Sequence, residues 1–286
     1  LPDGSRINVV IPPLVDSPTI TIRKFLLRNR SLDQLVRDGT LSAEAADYLT
    51  IATRAGLNII LFGATGTGKT TFIGALVDAI NNLDERVITI EETRELDVAN
   101  SLPDAIAMQA RMRGIDDDGR GAVSVRDLTK TTLRMRPSRI IVGEARGAEA
   151  LDMLVAMTSG HEGSMTTLHA DSPHGALQKL KLYVMMAGEE LPHDAINEMI
   201  AEAIHLVIHL RQDRKSRHRY VNSIFEVKGL EHHARGSTFI GQDIFVRRGG
   251  DLVWTGIPSE FREKLLDGID PEEESDDLAA GPRRWL

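Results

Sequence analysis

The stretch LNIILFGATGTGKTT, residues 57–71, decides the fold of this chain. An apolar run leads into Gly63, and Gly68, Lys69 and Thr70 complete the spacing G-x-x-x-x-G-K-[ST] ahead of a helical apolar pattern. In such a loop, glycines let backbone N–H groups approach phosphate oxygens, the lysine neutralises phosphate charge and the hydroxyl binds Mg²⁺. The following helix presents its N-terminus to the anion. The residues predicted to hold the phosphates of ATP are Gly63, Ala64, Thr65, Gly66, Thr67, Gly68, Lys69, Thr70 and Thr71.

Around this loop, from residue 57 to about 210, apolar strands alternate with helical patterns. This alternation predicts an α/β fold with a mainly parallel sheet. The segments 204–210 and 219–228 are expected to continue the sheet or to add a hairpin. The other candidate strands are 57–62, 86–91, 139–143 and 165–169.

The N-terminal part of the chain has a different pattern. Residues 1–25 contain an Asp3-Gly4 turn signal and alternating β-branched residues, which predict strands and turns. Helical spacing begins after Ser31 and again after Ser42. Because the chain opens on Leu1, we expect further sequence upstream. The predicted division is 1–30 as the end of a smaller α/β N-terminal domain, 31–56 as a helical linker, 57–255 as the core domain and 256–286 as a tail, disordered over 270–286.

The composition limits the classes of function. The 286 residues carry a formal net charge of -8, which argues against a surface that coats nucleic acid. The absence of cysteine excludes a disulfide framework and a thiolate metal site. The longest apolar run, Leu57 to Phe62, is too short to span a bilayer, so we expect any membrane role to act through partners.

Two further stretches each contain a predicted strand that leads into acidic residues. RVITIEETREL, residues 86–96, delivers Glu91 and Glu92 to a strand end, and MRPSRIIVGEARG, residues 135–147, delivers Glu144. Carboxyl ends of parallel strands form the edge where α/β sheets bind ligands. We therefore predict that Glu91 and Glu92 act with Thr70 on Mg²⁺ and that Glu144 polarises the attacking water. The alternative is that these glutamates are solvated strand ends.

A fourth stretch, GHEGSMTTLHADSP at 160–173, places Thr166, Thr167 and His169 at a strand end. These hydroxyls and the imidazole could sense the γ-phosphate by hydrogen bonding. A structural histidine is the alternative.

The order of these motifs resembles the secretion ATPases of type II and type IV systems, most closely the tight-adherence (Flp) pilus branch, the CpaF/TadA-like motors. The resemblance covers residues 1 to about 255, and in that family the blocks are the Walker A, Asp box, Walker B and His box. A Walker B strand that ends in Gly-Glu, as at Gly143 and Glu144, is a feature of that family.

The resemblance implies a RecA-like P-loop NTPase core, hexameric rings and Mg²⁺-ATP bound between two domains. It makes Glu144 the catalytic glutamate, Glu91 the Asp-box acid and His169 the His-box histidine. Arg23 would reach the nucleotide from the N-terminal side. The resemblance also implies that Arg111 and Arg134 meet phosphate charge, either in their own subunit or in a neighbouring subunit of the ring.

The chain departs from the family pattern at three positions. Glu92 stands where the family often has Asp, and Ser138 stands where an Asp commonly precedes the Walker B strand. Ala107 stands where relatives of the pilus branch often carry Arg.

The expected function is therefore an ATP-driven assembly motor of a pilus or secretion apparatus. The expected setting is cytoplasmic, peripheral to the inner face of the cytoplasmic membrane, with an inner-membrane platform protein as partner and no obligate nucleic acid. The alternatives are a DNA-handling P-loop ATPase, such as a conjugation or recombination motor, and a nucleotide-binding scaffold without turnover. The stretch that carries Arg111, Arg113, Arg120 and Arg126 is interpreted as a phosphate-sensing loop in preference to a DNA contact.

Overall fold

The computed structural model describes residues 5–24, 30–98, 101–111, 121–234, 236–270 and 283–286. Its strands are β1 Arg6–Val10, β2 Thr19–Arg23, β3 Ile59–Phe62, β4 Val87–Glu91, β5 Ala105–Gln109, β6 Arg139–Val142, β7 Met165–Leu168, β8 Leu206–Gln212, β9 Arg219–His233, β10 Gly236–Arg248 and β11 Asp251–Trp254. Its helices are α1 Leu32–Arg37, α2 Ala43–Arg54, α3 Lys69–Asp78, α4 Val125–Thr132, α5 Glu149–Thr158, α6 Pro173–Met185, α7 His193–Ala203 and α8 Arg262–Leu266.

The main sheet has nine strands in the order β11-β10-β9-β8-β3-β7-β6-β4-β5. The six strands from β8 to β5 in this order pair in parallel, whereas β8, β9, β10 and β11 pair with one another as antiparallel neighbours. The predicted α/β class with a mainly parallel sheet is confirmed. The segments 204–210 and 219–228 are expected to continue the sheet or to add a hairpin. Both occur, since β8 continues the parallel sheet and β9 forms an antiparallel hairpin with it.

The core lies on both faces of the sheet, because side chains of a strand alternate between its faces. On β3, Ile59 and Leu61 pack into one apolar cluster, and Ile60 and Phe62 pack into the other. The first cluster lies under α1, α2 and α3, and the second lies under α5, α6 and α7. The result is a three-layer arrangement with the phosphate loop at the carboxyl edge of its middle strand.

The helices predicted as a linker pack into this core. Leu35, Tyr48 and Leu49 of α1 and α2 are buried in the same cluster as β3. Serine side chains begin both helices, since Ser31 accepts from the N–H of Gln34 and Ser42 from that of Ala45. The segment is therefore structurally continuous with the sheet that follows it.

The prediction of disorder over 270–286 is wrong for residues 283–286. Trp285 is 1% exposed and packs edge-on against Tyr48, while Arg283 pairs with Asp47. The acidic composition of the segment predicts exposure. Trp285 is buried because it contacts a residue that is distant in the sequence. The acidic residues 271–277 lie outside the described residues.

The strands β1 and β2 form a separate antiparallel pair in which Arg6 lies opposite Arg23. Almost all of its residues are exposed. In the described residues, no helix combines the length and the apolar character that crossing a bilayer requires.

Candidate active site

The loop between β3 and α3 is fixed by contacts of its own backbone. The Nζ atom of Lys69 donates to the carbonyl oxygens of Gly63 and Ala64 at 2.9 and 3.1 Å, and Thr67 Oγ1 donates to Ala64 O at 2.9 Å. A Cβ atom on Gly63 would overlap the carbonyl oxygen of Leu210, so a glycine is required where the loop passes β8. The loop thus closes around an ammonium group.

The burial of the Lys69 ammonium group favours binding of an anion beside it. Burial is the main cause that lowers its pKa; the Glu144 carboxylate opposes this effect and the Arg146 guanidinium adds to it. A buried ammonium without a full counter-charge is stabilised by an anion placed beside it.

Glu91, the last residue of β4, is 5% exposed. Its two carboxylate oxygens accept from the N–H groups of Glu95 and Leu96 at 3.0 and 3.2 Å. Burial raises the pKa of Glu91 to about 7, although both N–H groups favour the ionised form. A Cβ atom on Gly143 would lie 2.9 Å from Glu91 Cγ, so the glycine at the end of β6 leaves room for this carboxylate.

Glu144 is held from two sides. Arg146 Nη2 donates to Glu144 Oε2 at 2.7 Å, and Arg146 Nη1 donates to Glu92 Oε2 at 2.7 Å. The other Glu144 oxygen, Oε1, lies 2.9 Å from His169 Nε2. The Nδ1 atom of His169 lies 3.1 Å from Gly63 O and 3.4 Å from Lys69 Nζ. His169 therefore spans the distance between the phosphate loop and the carboxylate.

The turn that carries Glu144 is fixed by its neighbours. Thr167 Oγ1, on β7, donates to Gly143 O at 2.8 Å. The N–H groups of Arg146 and Gly147 donate to Glu149 Oε1 at 2.6 and 2.9 Å. These bonds set the direction in which Glu144 leaves the sheet.

The loop and the acids line one cleft of about 290 Å³ at the carboxyl edge of the sheet. The predicted residues that line it are Arg23, Thr65, Gly66, Gly68, Lys69, Thr70, Thr71, Glu91, Glu92, Glu144 and His169. Thr167, one of the two hydroxyls proposed to sense the γ-phosphate, also lines it, and the lining residues that were not predicted are Arg6, Thr93, Glu95, Gly143, Arg146 and Arg219.

Two predicted arginines lie away from this cleft. Arg111 forms an isolated β-bridge with Val123, and its guanidinium donates to Gly121 O. Arg134 follows α4 and donates to Lys130 O at 3.2 Å. One copy of the described chain therefore does not bring either arginine to Lys69. Of the other arginines in this stretch, Arg113 and Arg120 lie outside the described residues.

The β1–β2 pair reaches the cleft through two guanidinium groups that share one carboxylate. Arg6 Nη2 and Arg23 Nη2 lie 2.9 and 3.1 Å from Glu95 Oε1. Among the missed residues, Arg146 had a local signal, because it stands two positions after Glu144. The contribution of Arg6 follows from its register with Arg23, and Arg219 carries no phosphate-binding signature in the sequence.

The side chains present suit Mg²⁺ bound together with a nucleotide. Thr70, Glu91 and Glu92 bring a hydroxyl and two carboxylates to one cleft. Magnesium at phosphate sites keeps several waters and takes phosphate oxygens, with one or two carboxylates from the protein. Within the described residues, no group of three or more His, Cys, Asp or Glu side chains is placed to hold a metal by itself. The hydroxyl and the two carboxylates therefore fit Mg²⁺ that is bound together with phosphate oxygens.

The chain is similar to known proteins in sequence and in fold. The model of the family described as "Type II/IV secretion system protein" matches residues 1–247. The type IV secretion system protein PtlH of Bordetella pertussis is 36% identical over 233 residues, 73% of this chain and 67% of that protein.

Relatives in Mycobacterium tuberculosis that carry a conjugal-transfer name are 34% identical over 215 residues. That alignment covers 75% of this chain and 59% of theirs, so the chain spans under two thirds of their length.

Among solved structures, the VirB11 ATPase of the Brucella suis type IV secretion system, in complex with sulphate, is similar with a TM-score of 0.56 and 29% identity. The similarity covers 79% of this chain and 72% of that one. It supports the RecA-like form of the core.

Proposed function

The chain belongs to the type II/IV secretion system protein family, and on that basis we propose that it is an ATPase that binds Mg²⁺-ATP in the 290 Å³ cleft and hydrolyses it to ADP and phosphate. One observation carries the proposal. A phosphate loop closed around Lys69 and a carboxylate at Glu144 face the same cleft, with His169 in contact with both.

Binding is assigned to the loop and to its surroundings. The backbone N–H groups of 63–71 and the ammonium of Lys69 neutralise the phosphate chain. Thr70, Glu91 and Glu92 would hold Mg²⁺, which when bound would shield phosphate charge. Sulphate bound to the similar VirB11 ATPase supports an anion site in this fold.

Hydrolysis is assigned to Glu144. Its carboxylate orients a water and accepts a proton as the water oxygen bonds to the γ-phosphorus and the bond to the β–γ bridging oxygen breaks. Arg146 donates to one carboxylate oxygen and His169 lies 2.9 Å from the other, so these neighbours position the group before the substrate arrives.

The larger assembly is proposed from the family. We assign a homo-hexameric ring at the cytoplasmic face of the membrane. Movement of one domain against the other within this ring would act on a partner, an inner-membrane platform protein. Arg111 and Arg134, which one copy leaves outside its own cleft, then reach the nucleotide of a neighbouring copy. Within the family, the sequence motifs favour the tight-adherence (Flp) pilus branch.

The DNA-handling motor remains a second candidate because the mycobacterial relatives carry a conjugal-transfer name. The two candidates differ in their response to DNA. An assembly motor hydrolyses ATP at the same rate with and without DNA. A DNA motor is stimulated, and its stimulation falls steeply with salt.

The test of the enzyme assignment is Glu144→Gln. We expect kcat to fall by about 10² or more, while the affinity for a fluorescent ATP analogue stays within about twofold, because the loop is untouched. The matched control is Glu198→Gln, an exposed carboxylate on α7, which should keep wild-type turnover. Unchanged turnover in Glu144→Gln would refute the assignment, and turnover lost in both variants would point to a general loss of fold.

A further inference from the structure

The hairpin between β8 and β9 is the most basic segment beside the cleft. Residues 211–219, RQDRKSRHR, carry five cationic side chains and one carboxylate, in a chain whose net charge is -8. The carboxylate, Asp213, accepts from Lys215 N, Ser216 N and Ser216 Oγ at 2.7 to 3.0 Å, so it builds the turn. The cations are Arg211, Arg214, Lys215, Arg217 and Arg219.

The backbone of this hairpin is fixed on both sides of Arg219. The N–H of Asp213 donates to His218 O at 2.8 Å, and Gln212 lies opposite Arg219 in the ladder. On the other side, Val221 N donates to Thr40 O at 2.8 Å, and a ring nitrogen of His218 lies 3.1 Å from Gly39 O. Arg219 therefore extends from a backbone anchored both to the sheet and to the turn between α1 and α2.

The Arg219 side chain crosses the phosphate loop at Gly68. A Cβ atom on Gly68 would lie 3.2 Å from Arg219 Cδ, and the φ of Gly68 is +93°. Arg219 lines the 290 Å³ cleft and also a second cavity of about 570 Å³, and Gly68 borders both spaces. It thus stands at the junction of the two spaces.

The guanidinium of Arg219 differs from the others at the cleft in having no acceptor. Arg6 and Arg23 pair with Glu95, and Arg146 pairs with Glu92 and Glu144. Within the described ranges, the Arg219 guanidinium makes no hydrogen bond and no ion pair with the protein. Five N–H donors beside a phosphate loop, held on a fixed strand, suit an anion.

The position of Arg219 also indicates which part of an anion it meets. The second cavity is lined by Gly68, Thr71 and Phe72, and Glu144, His169 and Arg146 are not part of its lining. Arg219 therefore borders, beside Gly68 and Thr71, a space whose lining does not include the carboxylate assigned to hydrolysis. If a nucleotide's phosphates occupy the loop, the phosphates near this space are the ones that stay bound after the terminal phosphate has left.

We propose that Arg219 is a further nucleotide-binding residue, which contacts the phosphates shared by a nucleoside diphosphate and a nucleoside triphosphate. The inference rests on the proposed ATP site and deepens it. Arg219 acts in binding and not in the chemical step, so ADP and ATP gain equally from it.

The experiment compares Arg219→Gln and Arg219→Lys with Arg214→Gln, an exposed cation of the same hairpin that lines neither cavity. Affinities for fluorescent ADP and ATP analogues are measured with steady-state turnover. For Arg219→Gln we expect about tenfold weaker binding of both nucleotides, a KM raised by a similar factor and kcat within about twofold of wild type. Arg219→Lys should recover part of the affinity, and Arg214→Gln should match wild type.

The outcomes separate the two proposals. Wild-type affinity for both nucleotides in Arg219→Gln overturns this inference alone. So does a fall in kcat with binding intact, or an equal loss in Arg214→Gln, which would indicate a diffuse charge effect. If the wild-type chain binds neither nucleotide, the proposed function fails and this inference fails with it.

Discussion

The two walls of the cleft are built in opposite ways. The phosphate loop is set into the core: Lys69 is 8% exposed and bonds to backbone carbonyls, and Gly63 touches β8. The β1–β2 pair stands in solvent and reaches the cleft by Arg6 and Arg23, which share Glu95.

This difference sets how easily each wall can move. Displacing the loop breaks buried contacts, whereas an exposed ion pair contributes only about 0.2–1 kcal/mol. A motor of the proposed kind needs a fixed seat for phosphate and a second part that can shift against it. The contrast between the walls supports that role, and substitutions in either wall test it.

The largest effect is expected from Gly63→Ala. The added methyl group overlaps the carbonyl oxygen of Leu210, a backbone atom that cannot turn away, and the φ of +151° is unfavourable for alanine. We expect a loss of about 4 kcal/mol in the free energy of unfolding, measured by urea denaturation.

Gly66→Ala is the matched control for that variant. Gly66 also has positive φ, +81°, but a Cβ atom there would meet nothing within 4 Å. The expected loss is only about 1 kcal/mol. Equal losses in the two variants would mean that backbone strain, and not contact with β8, fixes the loop.

The second effect comes from the buried carboxylate between the walls. Burial raises the pKa of Glu91 from 4.5 to about 7. Between these values the unfolded chain has lost this proton while the folded chain keeps it, so the folded state binds more protons. Stability from this group therefore falls as pH rises from about 4.5 to 7, by about 3 kcal/mol.

Urea denaturation at pH 4.5 and at pH 7.5 checks this sign. Glu91→Gln should lack the fall, so its stability relative to wild type rises with pH. Glu92→Gln, at the neighbouring half-exposed position, should retain it. A wild-type chain that becomes more stable relative to Glu91→Gln with rising pH would contradict the assignment.

A third and smaller effect is expected from Gly143→Ala. The new Cβ atom would lie 2.9 Å from Glu91 Cγ. The Glu91 side chain can shift away, but its carboxylate then loses the hydrogen bonds from Glu95 N and Leu96 N. We expect about 1–2 kcal/mol of destabilisation. Gly147→Ala, whose Cβ atom would be 3.5 Å from Glu149 Oε2, should have little effect on the unfolding free energy. Similar losses in both variants would show that room for the Glu91 side chain is not what requires glycine at position 143.

Much of the buried wall could be predicted from sequence. The loop motif fixes a strand before it and a helix after it, and parallel strands carry Glu91 and Glu144 to one edge. The missed strand β5 reads AIAMQ and has few of the β-branched residues that favour strands, so its pairing with β4 decides its conformation.

The exposed wall and the pairings across the cleft could not be predicted in the same way. That Arg6 and Arg23 meet Glu95, or that Arg219 crosses Gly68, depends on how separate elements pack. The burial of Trp285 against Tyr48 is also a long-range contact, in a segment whose acidic composition indicates the opposite. Local pattern carries no information on such contacts.

The smallest effect is expected from Glu95→Gln, which tests the exposed wall. The change removes the carboxylate shared by Arg6 and Arg23 but leaves the N–H of residue 95 bonded to Glu91. We expect a loss of at most about 1 kcal/mol and faster hydrogen exchange confined to β1 and β2.

Salt sharpens this last prediction, because screening weakens exposed pairs. Raising the salt concentration should speed exchange of β1 and β2 in wild type and change little in Glu95→Gln. The control, Glu44→Gln, removes an exposed pair with Arg284 on another surface and should leave this exchange as in wild type. If protection of β1 and β2 survives both the substitution and high salt, buried contacts hold this wall as they hold the loop, and it is not free to shift in the way the proposed motor requires.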